Sequence, residues 1–167
     1  MAGTGRSYDE SLLRRAFEVA GRSRESGDQP FGSVLADKDG NVLLEQGNGF
    51  SSEGGDRTAH AERLLASRAA KAYDLEFLAG CTLYASAEPC AMCSGAIYWA
   101  GIGRVVFGLS RNDMKQQIGG FQENLPRHTV FAAGQRPTEI VGPMLADEAA
   151  KLHEDYWSEI RQHKPPM

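Results

Sequence analysis

His60-Ala61-Glu62 is followed, 28 residues after the glutamate, by Cys90 in Pro89-Cys90-Ala91-Met92-Cys93. This pairing constrains the fold more than any other feature of the chain. His60, Cys90 and Cys93 are borderline-to-soft donors of the kind zinc prefers. Two cysteines three residues apart at a helix start bring both sulfurs to one side within a single turn. The imidazole comes from a remote segment, so the fold must carry two distant positions to one point. Two helices leaving the same edge of a sheet do this, because their N-termini converge there. A helix N-terminus also favours negative charge, which lowers thiolate pKa values and assists metal binding.

Three protein ligands leave a fourth position on zinc for water, whose pKa falls to roughly 7, which is a catalytic rather than a structural arrangement. Glu62 stands beside the ligand set without being needed in it. On a regular helix, residues two apart point roughly 200° away from each other. The metal is therefore expected over the helix end, with His60 reaching it from there and Glu62 lining the pocket. The competing readings are a structural zinc knuckle and a redox Cys-x-x-Cys. A knuckle usually takes four protein ligands, and Cys81 is the candidate fourth, although the alternation Thr82-Leu83-Tyr84-Ala85 makes it a core residue at a strand start. A redox pair leaves His60-x-Glu62 and Pro89 unexplained.

The 167 residues, 41% hydrophobic and 24% charged, fit one globular α/β domain over 9–160 between flexible tails at 1–8 and 161–167. A formal charge of -4, from 18 Lys+Arg against 22 Asp+Glu, argues against a polyanion as main partner. No apolar run is long enough for a bilayer, and Met1-Ala2-Gly3-Thr4-Gly5-Arg6-Ser7 lacks the apolar core of a signal peptide. Three cysteines do not form a disulfide framework. A reducing, cytoplasmic setting is expected, since thiolates that hold zinc must stay unoxidised.

Hydrophobic periodicity predicts a helix over about Asp9 to Ser26 and strands over Val34 to Ala36 and Val42 to Glu45, joined at Asp39-Gly40. A loop from Asn48 to Arg57 precedes a helix from about Thr58 or Ala59 to Tyr73. Thr82 to Ala85 is a strand, and Pro89 suits the first turn of a helix covering 90–100. Arg104 to Gly108 is a further strand. Ser110 to Arg136, with Gly119-Gly120, Pro126 and Gly134, reads as a short helix plus loops. Glu139 to Val141 is a last strand, and Leu145 to Ile160 one amphipathic helix, with His153 in its middle among charged neighbours. This order implies a mixed sheet covered by helices on both sides.

Thr58-Ala59-His60-Ala61-Glu62 and Glu88-Pro89-Cys90-Ala91-Met92-Cys93-Ser94-Gly95-Ala96-Ile97 resemble the cytidine and deoxycytidylate deaminase superfamily. The branch most similar holds bacterial guanine deaminases, yeast-type cytosine deaminase and wobble-position tRNA adenosine deaminases. The resemblance implies a three-layer α/β/α fold around a five-stranded mixed sheet, one Zn2+ per subunit, and a homodimer that shapes the pockets. It implies that His60, Cys90 and Cys93 are the zinc ligands and Glu62 the proton shuttle. Such a shuttle takes a proton from water and hands protons to a ring nitrogen and the departing amine, which needs a pKa raised toward neutrality. Asn48, Ala61 and the backbone of Glu88 are implied substrate contacts, Trp99 a pocket wall and Asp113 an acidic reader of guanine.

Each of these residues also has a plain structural reading. Asn48, between glycines, suits a turn. Trp99 and Tyr98 suit a core, and Asp113 a helix cap. Phe31 suits either core or pocket, with Gly32 letting the chain approach a flat ring. Tyr156 and Trp157 suit the core, a lid or a partner subunit's pocket, and His128 and His153 are read as unrelated to zinc. Guanine is the expected substrate on the strength of Trp99 and Asp113. Wobble adenosine in tRNA, cytosine, a nucleoside, and other aminated heterocycles such as pterins or triazines are alternatives. The expected partner is thus a small molecule rather than nucleic acid or membrane.

Overall fold

The structure, a computed structural model, describes residues 5–118 and 127–163. Five strands form one mixed sheet in the order β2-β1-β3-β4-β5: β1 (Gly32–Ala36), β2 (Val42–Gly47), β3 (Thr82–Ala87), β4 (Arg104–Leu109) and β5 (Glu139–Val141). β1 pairs antiparallel with β2 and β3, whereas β3 with β4 and β4 with β5 are parallel. The hairpin turns at Gly40, whose φ of 87 lies in the left-handed region that glycine adopts without strain. The Asp37 carboxylate accepts the Asp39 and Asn41 N–H groups within that turn.

The three central strands are buried along their length, so alternate side chains feed two separate cores. Val34, Tyr84 and Val106 face α1 (Asp9–Glu25), where Leu13, Ala16 and Phe17 meet them together with Ala149 of α7 (Ala146–Lys151). Leu35, Leu83, Val105 and Phe107 face the other way. There they pack on Leu65, Ala66 and Ala69 of α2 (Ala61–Ala72), Leu78 of α3 (Leu75–Ala79) and Ile97 of α4 (Ala91–Ala100). The result is the three-layer α/β/α arrangement. A Cβ at Gly32 would lie 2.4 Å from the Ala20 nitrogen, so the glycine seats β1 against α1.

A buried charge cluster ties α1 to the sheet. Both terminal guanidinium nitrogens of Arg104 donate to Asp9 at 2.8 Å, and the Tyr84 hydroxyl donates to Asp9 Oδ1 at 2.8 Å. Arg104 Nε adds a 2.8 Å bond to Glu139 on β5. Burial works against the Asp9 carboxylate, but Arg104, the Arg6 N–H and Tyr84 outweigh it and hold its pKa below the usual value.

Several boundaries differ from the sequence expectation. α2 starts at Ala61, because the Asp56 carboxylate captures both the N–H and the hydroxyl of Thr58 and keeps that stretch in a turn. α3 was not anticipated; Asp74 caps it by accepting the Phe77 N–H at 2.8 Å. Pro89 precedes Cys90, the cap of α4, and so stands outside the helix rather than in its first turn. The single C-terminal helix is two, α7 and α8 (Tyr156–His163), separated where Asp155 adopts a φ of 62. Between Ser110 and Arg136 lie α5 (Arg111–Ile118) and α6 (Arg127–Ala133). Gly119-Gly120 and Pro126 fall outside the described residues. Tyr8, assigned to a loose tail, packs against the α1 core and donates its hydroxyl to the Lys38 carbonyl at 2.7 Å.

Candidate active site

His60 is the N-cap of α2, with extended backbone (φ -69, ψ 144), and Cys90 is the N-cap of α4. Both helices begin at the same end of the sheet. The His60–Glu62 geometry follows from this: the histidine lies outside the helix and the glutamate in its first turn, so the two can face one point. Cys90 Sγ accepts the Cys93 N–H at 3.4 Å, which fixes the turn and places both sulfurs beside the imidazole.

His60 Nδ1 lies 3.6 Å from Cys90 Sγ and 3.5 Å from Cys93 Sγ, and the three donor atoms all fall within 4.8 Å of one another. Zn–S bonds near 2.3 Å and Zn–N bonds near 2.05 Å at a tetrahedral angle require an N···S separation of about 3.6 Å. The donor set fits zinc. Cys81 is not part of it. That thiol donates to the Phe77 carbonyl in the core behind α2 and α4, and burial pushes its pKa up to about 11. With no fourth protein donor at this point among the described residues, the structural-knuckle reading loses its support.

Glu62 is buried, 7% exposed, with Oε2 3.8 Å from Cys93 Sγ. Burial raises its pKa, and the neighbouring Cys90 sulfur adds to this, while His60 and Arg111 act in the opposite direction. The sulfur–sulfur contact with Cys93 draws the Cys90 thiol down to about 4, and that same contact, with burial, drives Cys93 up. Both sulfurs must be deprotonated to hold a metal.

A cavity of about 50 Å³ opens beside these groups. Phe31, Asn48, Glu62 and Glu88 line it, as do Gln29, Ala87, Arg111 and Met114, which sequence reasoning did not single out. Asn48 follows β2 and is buried, and its Oδ1 accepts the Phe50 N–H at 2.8 Å, leaving the amide nitrogen as its donor end. Glu88 continues β3: its N–H donates to the Leu109 carbonyl and its carboxylate accepts the Arg111 N–H at 3.0 Å. Ala61 is fully buried between His60 and Glu62. The signal for Arg111 and Met114 was their position just past the end of β4, beside the strand end that carries Cys90.

Trp99 and Asp113 are not among the residues that line this cavity. Trp99 is 80% exposed on the outer face of α4, because the α4 face toward the sheet is taken by Cys93, Ser94, Ile97 and Ala100. Asp113 is exposed and closes a cap at the start of α5, where Ser110 Oγ accepts its N–H and donates to its carboxylate at 2.5 Å. Tyr156 and Trp157 meet their own chain. The Trp157 ring centroid lies 6.2 Å from Phe31, and its Nε1–H donates to His153 Nδ1 at 3.0 Å. His153 is not exposed in mid-helix; the break before α8 turns it inward to 5.1 Å from Phe31, and burial lowers its pKa to about 4. The side chain of His128 lies outside the described residues.

Residues 6–109 match the family described as the cytidine and deoxycytidylate deaminase zinc-binding region. The chain belongs to this family. It is 40% identical over 154 residues to the "Probable cytosine deaminase" of Schizosaccharomyces pombe, covering 89% of this chain and 92% of that one. It is 33% identical over 162 residues to the tRNA-specific adenosine deaminase of Haemophilus influenzae, covering 94% and 87%. Among solved structures it is similar to a mutant of NE0047 in complex with 8-azaguanine, at a TM-score of 0.77, 25% identity, and coverage of 90% and 84%. It is therefore a zinc-dependent deaminase of the cytidine deaminase superfamily, and His60, Cys90 and Cys93 form a group that could hold the metal. Among the described residues no helix is long and apolar enough to cross a membrane.

Proposed function

We propose that the protein hydrolytically removes the exocyclic amine of a free heterocyclic base, with a single ring of the cytosine type as first substrate. The observation that carries this is a buried Glu62, its pKa raised by burial, beside a zinc-fitting donor triad in a cavity of about 50 Å³. Such a volume is small, so the smallest ring needs the least opening. Zinc would supply activated water and electrophilic polarisation when bound to His60, Cys90 and Cys93. Glu62, its pKa raised by burial, can take a proton from water and pass protons to a ring nitrogen and the leaving amine. Asn48 offers an amide donor to the ring edge and Phe31 a flat apolar face, with the Trp157 ring packed beside Phe31.

Guanine is the second reading. Trp99 and Asp113, which favoured it, do not line the cavity, but 8-azaguanine, the ligand of the similar NE0047 structure, is a guanine analogue. Wobble adenosine in tRNA is disfavoured by the net charge of -4 and by the pairing of Arg14 with Glu148 and of Arg15 and Arg22 with Glu45. Ammonia release should be fastest from cytosine, slower from guanine, pterins and triazines, and negligible from a tRNA anticodon stem under matched conditions. Faster release from the RNA would overturn this reading. A reducing, cytoplasmic compartment suits the free thiols of Cys90 and Cys93.

The dimer implied by the resemblance has support in the exposed apolar side chains of Trp99, Leu75 and Phe77, 80%, 58% and 42% accessible in the single chain. Apolar surface of this kind, near the helix that carries the cysteines, suits a partner subunit. Sedimentation at micromolar concentration should return twice the 18.1 kDa chain mass. A mass of one chain would exclude a stable dimer.

A further inference from the structure

Phe31 lines the catalytic cavity, and two further rings pack against its own. The His153 centroid lies 5.1 Å away, tilted by 52°, and that of Trp157 6.2 Å away, tilted by 48°. His153 and Trp157 stack on each other within 12° of parallel, and the indole Nε1–H donates to His153 Nδ1 at 3.0 Å. Neither of these two residues lines the cavity. Arg24 of α1 secures the backbone on both sides of His153, donating to the Leu152 carbonyl at 3.3 Å and the Glu154 carbonyl at 3.0 Å.

The imidazole is buried, and its Nε2 has no hydrogen-bond partner among the described residues. Burial, with Arg24 adding to it, lowers its pKa to about 4, so near pH 7 the ring is neutral and can accept at Nδ1. Its proton then sits on the unpartnered Nε2. Such a buried donor is a cost that leucine or phenylalanine in the same place would avoid. Neither of those could accept the indole N–H, and leucine also lacks a flat ring for Phe31.

We propose that His153 is a positioning residue for the deamination site: bonded to Trp157 and packed on Phe31, it fixes the Phe31 ring at the cavity wall and sets the affinity for a flat heterocycle. This rests on the reading of the substrate as a free aminated ring, but not on which ring it is. A wall ring left free to turn must be ordered at each binding event, which weakens binding without touching the zinc donors or Glu62.

Two exchanges separate the parts of the device. His153→Phe keeps a flat ring and removes the acceptor, whereas His153→Asn keeps an acceptor near Nδ1 and removes the ring. Each should raise KM roughly 3- to 10-fold, the scale of one aromatic contact. Turnover number and zinc content should stay close to the parent's. The substrate is whichever of cytosine, guanine, pterins and triazines the parent converts fastest. In a Phe31→Leu background the same exchanges should add little to KM, since the ring they position is gone. Amide-type exchange by NMR reads the contact without substrate: the Trp157 indole N–H should exchange slowly in the parent and fast in His153→Phe, with exposed Trp99 as the fast reference. Full additivity with Phe31→Leu, a loss confined to kcat, or an indole N–H that exchanges as fast in the parent would overturn the proposal. Failure of the substrate reading looks different, with none of the bases converted and the indole signal still judging the contact.

Discussion

Exchange of Glu62 for Gln is expected to lower kcat by roughly 10²- to 10⁴-fold, the usual contribution of a positioned acid–base group. Zinc content and thermal stability should stay close to those of the unsubstituted protein. Glutamine keeps the shape and fills the same buried space, but it cannot take up and release a proton. Glu62 is not within the donor triad, so its loss should leave the metal in place. Burial already holds its carboxyl above the usual range, and water, a ring nitrogen and an amine are the partners a shuttle of that kind serves. Unchanged turnover in the variant would show that the protons travel by another route. Loss of zinc together with activity would show that Glu62 belongs to the metal site itself.

The second large effect is on stability. Asp9→Ala should cost about 3–5 kcal/mol, because it leaves the buried Arg104 guanidinium without its bidentate carboxylate. Arg104 is 2% and Asp9 1% exposed, so water cannot replace the lost partner. The remaining bond to Glu139 moderates the loss and sets the expectation toward the lower end. Replacing the pair together, Asp9→Leu with Arg104→Met, should cost less than Asp9→Ala alone, since no unpaired charge is then buried. Urea unfolding of the three proteins at pH 7 measures this, and a single variant as stable as the parent would refute it.

The same carboxylate gives a pH dependence with a definite sign. Asp9 titrates lower in the folded chain than the roughly 3.9 of an unfolded aspartate. Its contribution is therefore complete above that unfolded value and is lost as pH falls through the folded one. Between pH 6 and pH 3 the parent should lose more stability than Asp9→Ala does. Parallel curves would remove Asp9 as the cause.

The sequence spoke most clearly where one residue type has few alternatives. Zinc donors at His60, Cys90 and Cys93 could be read directly, as could the alternation of Leu83, Tyr84 and Ala85 that assigns β3 to a doubly covered sheet. Asp39-Gly40 located the hairpin because Gly40 needs a left-handed backbone. Trp99 was harder: an aromatic on an apolar helix fits a pocket or a core by pattern, and only the packing of Ile97 and Cys93 shows that it faces out. Asp113 has a local partner in Ser110, three residues earlier, and the sequence offers that cap alongside a pocket role. The break at Asp155 left no periodic trace, so the inward turn of His153 onto Phe31 was invisible. Arg111 was missed because a lone arginine in a polar stretch has no pattern; its place beside the cavity depends on which strand ends meet.

The most direct test of the central claim is X-ray absorption at the zinc edge of the metal-loaded protein. A site built by His60, Cys90 and Cys93 with one position left for water predicts two sulfur neighbours near 2.3 Å and two light atoms near 2.0–2.1 Å. A third or fourth sulfur, or four protein donors leaving no place for water, would contradict it.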